Sequence, residues 1–410
     1  NDDSAPTEPG SLPPTPFRFE KIGRAPLSLQ RICDLRSFGD DLYAAHANQP
    51  LGTDGATISR FRWVDGRPLF SVAFDWNRPG EPVRGGGAGQ GFLRVRAIDG
   101  RLFVPDADPP YAGFGIADRG TEGYVFVSDG RGRFAPASSP GHRPPPSPKK
   151  AASTLEADGG ELQDGRAGAG VVPRAYHDID VIRYRGHVYV STGSVPPTER
   201  AWHGASPGAL HVADPSWSRW SYCAEYPFPW QEGVWRLTFL VRYRGRLFAG
   251  IQDFDGREKN DYVVFSGHSG DQPLSREDGR GVRVTTAGGA LTLRWFADAG
   301  RLWWVALEKD GAVTLRVSDD GEAWHDIDLP ANAGRPSDVA RFHDAIVALT
   351  ERGLWRVDVS PAAELARVDE KATPFAVSDA FCAAPLAVYR GGLYAGGQRD
   401  GALWRVRSSQ

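Results

Sequence analysis

The sequence predicts an all-β chain built from repeated four-stranded antiparallel units, and three observations carry this. Short β-branched and aromatic runs bounded by Gly, Asp and Pro recur along the 410 residues, with no long stretch at helical period. A strand–turn–strand unit returns seven times with Gly or His-Asp at its turn. A third strand follows most copies, with polar and apolar residues alternating so that only one face packs.

The first copy is ICDLRSFGDDLYAAH, turning at Gly39. The others turn at Gly100, Gly186, Gly245, Gly300, His343-Asp344 and Gly391. The steps between turns are 61, 86, 59, 55, 43 and 48 residues, so one step is much too long. Third strands include TISRFRW, GYVFVSD, DYVVFSG, VTLRVSD, GLWRVDV and GALWRVR. Four-stranded units repeating every ~40–50 residues resemble the blades of a β-propeller. The expected fold is a seven-bladed β-propeller over residues 16–408. The last copy ends after its third strand, while PFRFEKIG (Pro16 to Gly23) precedes the first copy as a surplus strand. The expectation is that this N-terminal strand pairs in the last blade and closes the ring, leaving no open edge there.

The long step holds residues 135–173, which are rich in Pro, Gly and Ala and contain no aromatic residue. It reads as a flexible insertion between blades two and three, either a tolerated loop or a partner-binding arm. SDDGEAW (Ser318, Asp320, Gly321, Trp324) resembles the Asp box of sialidases and related propellers. The resemblance implies a structural turn between third and fourth strands, away from any active site. PFRFEK lacks the Ile-Pro of the sialidase F-R-I-P-type motif. GASPG (Gly204 to Gly208) fits a nucleophile elbow by letter only, since a strand follows where a helix is required. GGGAGQG (Gly85 to Gly91) precedes a strand and so lacks the context of a dinucleotide loop.

A formal charge of −3 gives no nucleic-acid footprint, and no apolar run has the length of a membrane span. Residues 1–15 form a polar, Pro-rich tether with no Met before it, which fits a mature exported protein, secreted or held by a lipid anchor ahead of residue 1. The three cysteines are Cys33, Cys223 and Cys382. Cys33 and Cys382 start the first and last inner strands, either as a disulfide clamping the chain ends or as two buried thiols.

The loops after the second strand are long in the first four blades and short in the rest, so a cleft is expected over blades one to four. Candidate ligand-binding residues there are His46, Asn48, Tyr111, Tyr176, Arg200, Trp202, His203, Trp230, Trp235 and Arg236. Aromatic rings beside charged groups suit a sugar or a peptide: rings cover apolar faces, and charged groups fix hydroxyls or amides. Candidate acids and bases are Asp106, Asp108, His177, Asp178, Glu232 and Asp253. Candidate metal ligands are His46, His177, His203, Asp253 and Asp255, with a structural Ca²⁺ as the one cofactor considered. The first functional reading is a non-enzymatic propeller that recognises a glycan or protein ligand on its loop-rich face. The alternatives are a hydrolase or lyase acting on glycans or small polar substrates at the same face, and a structural envelope scaffold.

Overall fold

The computed structural model describes residues 16–26, 31–47, 56–76, 91–106, 123–128, 133–136, 171–172, 177–193, 209–217, 219–225, 234–253, 261–265, 274, 282–285, 289–298, 300–368, 374–377 and 382–408. The tether and most of the 135–173 insertion lie outside them.

β1 (Phe17–Arg24) pairs antiparallel with the last strand of the chain, Phe17 opposite Ser408 and Arg24 opposite Ala402. The first unit is β2 (Ile32–Phe38), β3 (Asp41–His46), β4 (Thr57–Val64) and β5 (Arg67–Asp75). The second is β6 (Arg96–Ile98), β7 (Arg101–Pro105), β8 (Gly123–Ser128), β9 (Phe134–Pro136) and β10 (Val171–Val172). Both β9 and β10 pair with β8, so the two ends of the insertion share the outer edge of this unit. Next come β11 (His177–Tyr184), β12 (His187–Gly193), β13 (Ala209–Ala213) and β14 (Trp220–Glu225). Then come β15 (Val234–Tyr243), β16 (Arg246–Asp253), β17 (Asp261–Phe265) and β18 (Val282–Thr285). After them stand β19 (Leu291–Asp298), β20 (Arg301–Leu307), β21 (Val313–Ser318) and β22 (His325–Asp326). The following unit is β23 (Pro336–Phe342), β24 (Ala345–Thr350), β25 (Gly353–Arg356) and β26 (Ala363–Arg367). The chain finishes with β27 (Leu386–Tyr389), β28 (Gly392–Gly396) and β29 (Ala402–Ser408).

The fold is an all-β propeller of four-stranded antiparallel blades, but hydrogen bonds gather the strands into six sheets, not seven. The difference lies in one eight-stranded sheet, where β11–β14 and β15–β18 are joined by the pairing of Gly193 with Arg236. Gly193 ends β12 without a side chain, which lets the neighbouring backbone come close.

The tight turns form because residues there accept positive φ: Gly39, Gly100, Gly186, Gly245, Gly300 and Gly391 all do, and His343 does so at 54°. Each hairpin then returns an apolar strand, and β3, β20, β24 and β28 are buried almost end to end. A bulge interrupts β2 between Ile32 and Asp34, β11 between Asp178 and Asp180, β19 between Thr292 and Arg294, and β23 between Pro336 and Asp338. The residue after each bulge carries a charge into the interior.

Cys33 and Cys382 form a disulfide across 349 residues of sequence. Around it, Leu35 N–H donates to Ala384 O and Ala384 N–H to Cys33 O, at 3.3 and 3.0 Å. The start of β2 is therefore tied to the segment leading into β27 by one covalent and two hydrogen bonds.

Candidate functional site

Two layers of charge lie along the inner strands. The deeper layer is made by Asp34, Arg94, Asp180, Arg294 and Asp338. Arg94 stands between Asp34 and Asp180, 3.7 and 3.6 Å from their oxygens, with its guanidinium over the Phe239 ring. Arg96 binds both Asp180 oxygens, at 2.9 and 2.6 Å. Arg294 donates to Asp338 at 2.7 Å. Each aspartate also accepts a backbone N–H from the next unit: Val95 to Asp34, Leu240 to Asp180, and Leu386 to Asp338, all within 2.9 Å. Burial alone would raise Asp180, but the Arg96 and Arg94 charges and these hydrogen bonds hold it below the usual carboxylate range. Arg94 is drawn down to about 9, first by burial and then by the like charge of Arg96. This layer is structural: it hydrogen-bonds inner strands to one another across the units.

The second layer sits at the opening of the inner strands. Asp106 follows β7, and Asp178 is the second residue of β11. Asp178 N–H donates to Asp106 O at 3.0 Å, and Asp106 N–H donates to Tyr124 O at 2.9 Å. Both side chains are fully buried. No described residue hydrogen-bonds either carboxyl oxygen of Asp178. Burial first, and the Asp106 charge second, push Asp178 well above the ordinary carboxylate range. Two carboxyl groups so placed disfavour being ionised together.

Next to Asp178, His177 meets Arg236 of β15. Arg236 donates from Nη2 to His177 Nε2 at 3.0 Å and from Nη1 to Gln252 Oε1 at 3.0 Å. Because a guanidinium cannot accept, Nε2 is the acceptor and the neutral ring carries its proton on Nδ1. Arg236 is half-buried, whereas His177 and the two aspartates are buried, so Arg236 is the group of this cluster that reaches outward.

The structure thus brings together four of the residues expected at the site: Asp106, His177, Asp178 and Arg236. It places His46 inside the first unit, with Nδ1 toward Arg31 O at 2.9 Å and Nε2 toward Ser59 Oγ at 2.6 Å. Burial lowers this histidine to about 4, and both of its nitrogens are occupied, so as placed it offers a metal no lone pair. Of Asp253 and Trp235 only the backbone is described: Trp235 precedes Arg236 in β15, and Asp253 ends β16, which pairs with β15. Asn48, Asp108, Tyr111, Tyr176, Arg200, Trp202, His203, Trp230, Glu232 and Asp255 lie outside the described residues. Among the described residues no three His, Cys, Asp or Glu side chains converge on a point that could hold a metal.

The Asp-box turn links β21 to β22. Asp320 Oδ1 accepts from Glu322 N and Ala323 N at 2.7 and 2.8 Å and lies 3.0 Å from Ser318 Oγ. Gly321 has φ +78°, and a Cβ there would stand 2.7 Å from the Phe248 ring, so only glycine fits. Trp324 packs against Tyr262 and Trp304 and donates its Nε1–H to Tyr262 Oη at 2.9 Å.

No protein-family model matches this sequence, and no curated protein matches it. Solved structures do. The extracellular domain of BT4673 from B. thetaiotaomicron matches with a TM-score of 0.50 and 10% identity, over 94% of this chain and 40% of that one. A puromycin hydrolase matches with a TM-score of 0.50 and 13% identity, over 90% of this chain and 50% of that one. A polysaccharide lyase reaches a TM-score of 0.47 at 10% identity, over 92% and 90% of the two chains. The chain therefore spans two-fifths to one-half of the first two of these proteins. Identity this low shows the β-propeller fold and nothing finer.

Proposed function

We propose that this chain is an exported propeller that binds a glycan or a protein ligand on the face where the inner strands open, without turning it over. The observation that carries the reading is the rim cluster of Asp106, His177, Asp178 and Arg236, contributed by three successive units. Its most accessible member is a guanidinium already oriented by His177 and Gln252, which suits carboxylate or vicinal-hydroxyl recognition. The carboxyl pair behind it is enclosed, which suits positioning better than direct proton transfer. Export is supported by the Cys33–Cys382 disulfide, a bond that persists in oxidising compartments. The extracellular neighbour is in keeping with that.

The same reading counts the eight-stranded sheet as two blades, giving seven. It is supported by the order in which inner strands touch: β2, β6, β11, β15, β19, β23, β27 and β2 again. On this count β1 supplies the outer strand of the last blade beside β29 and closes the ring.

A second reading, a hydrolase or lyase, is favoured by one observation: burial and the neighbouring Asp106 push Asp178 well above the ordinary carboxylate range, the direction a general acid needs. One experiment separates the two. The protein is incubated with a panel of glycans and polysaccharides, and mass spectrometry records both retained ligands and new products. The expected outcome is retention without products, weakened at least about tenfold in Arg236→Ala, the loss typical of one charge-assisted contact. New products that disappear in Asp178→Asn would replace the binding reading by the enzymatic one.

A further inference from the structure

At the opposite ends of the inner strands, beside the tight turns, a cavity of about 90 Å³ opens between four successive units. It is lined by Arg36 of β2, Arg96 of β6, Arg183 of β11 and Arg242 of β15, with Asp99 as the one acidic lining residue. We propose that this cavity binds a small tetrahedral oxyanion, phosphate or sulfate, either free or as the ester of a polar molecule.

Charge, walls and size point the same way. Of the four cations, Arg96 is answered by Asp180 and Arg183 by Asp99. The lining holds four guanidinium groups and a single carboxylate. Arg242 is exposed and has no acidic partner among the described residues. A specific substitution accounts for this. Arg183 finds Asp99 at the turn of the preceding unit, and Arg341, at the same strand position on β23, finds Asp298. The unit preceding Arg242 offers Tyr184 and Arg185 at that place instead. Arg185 lies over the Tyr184 ring and reaches Gly245 O.

The walls between the arginines are Ala97, Ile98, Val181 and Ile182, of which Ile98, Val181 and Ile182 are buried. Such low-dielectric walls concentrate the field of the guanidinium groups in the opening. Arginine forks match the edges of a tetrahedral oxyanion, and the volume admits several water-sized groups, as an oxyanion of this size requires.

The test is isothermal titration of the full chain with inorganic phosphate, inorganic sulfate and glycerol phosphate at constant ionic strength set with sodium chloride. The expected result is saturable binding of at least one of them, weakened about tenfold or more by Arg242→Gln, with an unchanged thermal midpoint. Arg399→Gln, at an exposed arginine outside the cavity lining, leaves the affinity as it was. Phosphate bound in preference to glycerol phosphate assigns the site to the free ion; the reverse assigns it to an ester. No saturable binding of any of the three anions overturns the proposal, and so does binding that Arg242→Gln leaves unchanged.

Discussion

Asp178 and Asp180 stand two residues apart on the same strand, and both are fully buried, yet their ionisation is driven in opposite directions. Asp180 faces Arg94 and Arg96 and accepts the Leu240 N–H, so its charge is held. Asp178 faces the carboxyl of Asp106, with no described residue hydrogen-bonded to its own oxygens, so its charge is refused. Burial pushes both upward: at Asp180 the arginine charges and hydrogen bonds outweigh it, while at Asp178 nothing opposes it and the Asp106 charge adds to it. The Ile179 bulge between them is what lets one strand serve both environments. The chain places a compensated carboxylate where inner strands must be joined and an uncompensated one at the rim.

The largest test of this contrast is the pair of substitutions Asp180→Asn and Asp178→Asn, compared by chemical denaturation at neutral pH. Asp180→Asn takes a counter-charge from Arg96 and one of two from Arg94, which keeps Asp34, and a loss of about 3–5 kcal/mol is expected. Asp178→Asn replaces a carboxyl that already favours its neutral form, and the expected change is neutral to stabilising by about 1 kcal/mol. Equal losses in the two variants would break the comparison.

The deeper layer was legible in the sequence but needed an alignment on strand ends instead of on turn glycines. Asp34, Arg94, Asp180, Arg294 and Asp338 each fall at the fourth residue before the end of an inner strand. The glycine is the first turn residue at Gly39, the second at Gly100, Gly186, Gly245, Gly300 and Gly391, and absent at His343-Asp344, which blurs that register. The four rim residues stood out in the sequence as polar residues at inner-strand starts and second-strand ends, but the same rule also chose His46, which is bonded inside the first unit. The mutual geometry of the four was not legible, since contacts across units depend on how blades pack and not on spacing along the chain. The blade count differed because backbone pairing at Gly193 merges two units that the repeat spacing keeps separate.

Acidity sharpens the contrast further. Asp180 has a folded pKa below its unfolded value of about 3.9, so the stability it adds is present above that pH and fades as acid protonates the folded state. Asp178 has a raised folded pKa, so its contribution is complete below about 3.9 and is lost as pH rises through the folded value. The stability of Asp178→Asn relative to wild type should therefore increase as pH rises above about 4. Denaturation midpoints measured across that range would show a flat difference if Asp178 ionised freely.

A third carboxylate isolates the role of hydrogen bonds from that of cations. Asp320 lies in the exposed Asp-box turn, where the Ala323 and Glu322 N–H groups, with Ser318, hold it down to about 2. Its acid sensitivity should accordingly run like that of Asp180: stability present above its unfolded value and lost as pH falls toward 2. Solvent screens these contacts, so Asp320→Ala should cost less than about 1 kcal/mol, well under the Asp180 loss, although both carboxylates are depressed. The turn itself is held by Gly321 and by Trp324 against Tyr262 and Trp304, which do not depend on the carboxylate. Near-ultraviolet circular dichroism should therefore keep its tryptophan signal in Asp320→Ala. A loss approaching that of Asp180→Asn would mean that backbone N–H groups alone can do what the buried arginines do, and the distinction between the two layers would rest on burial after all.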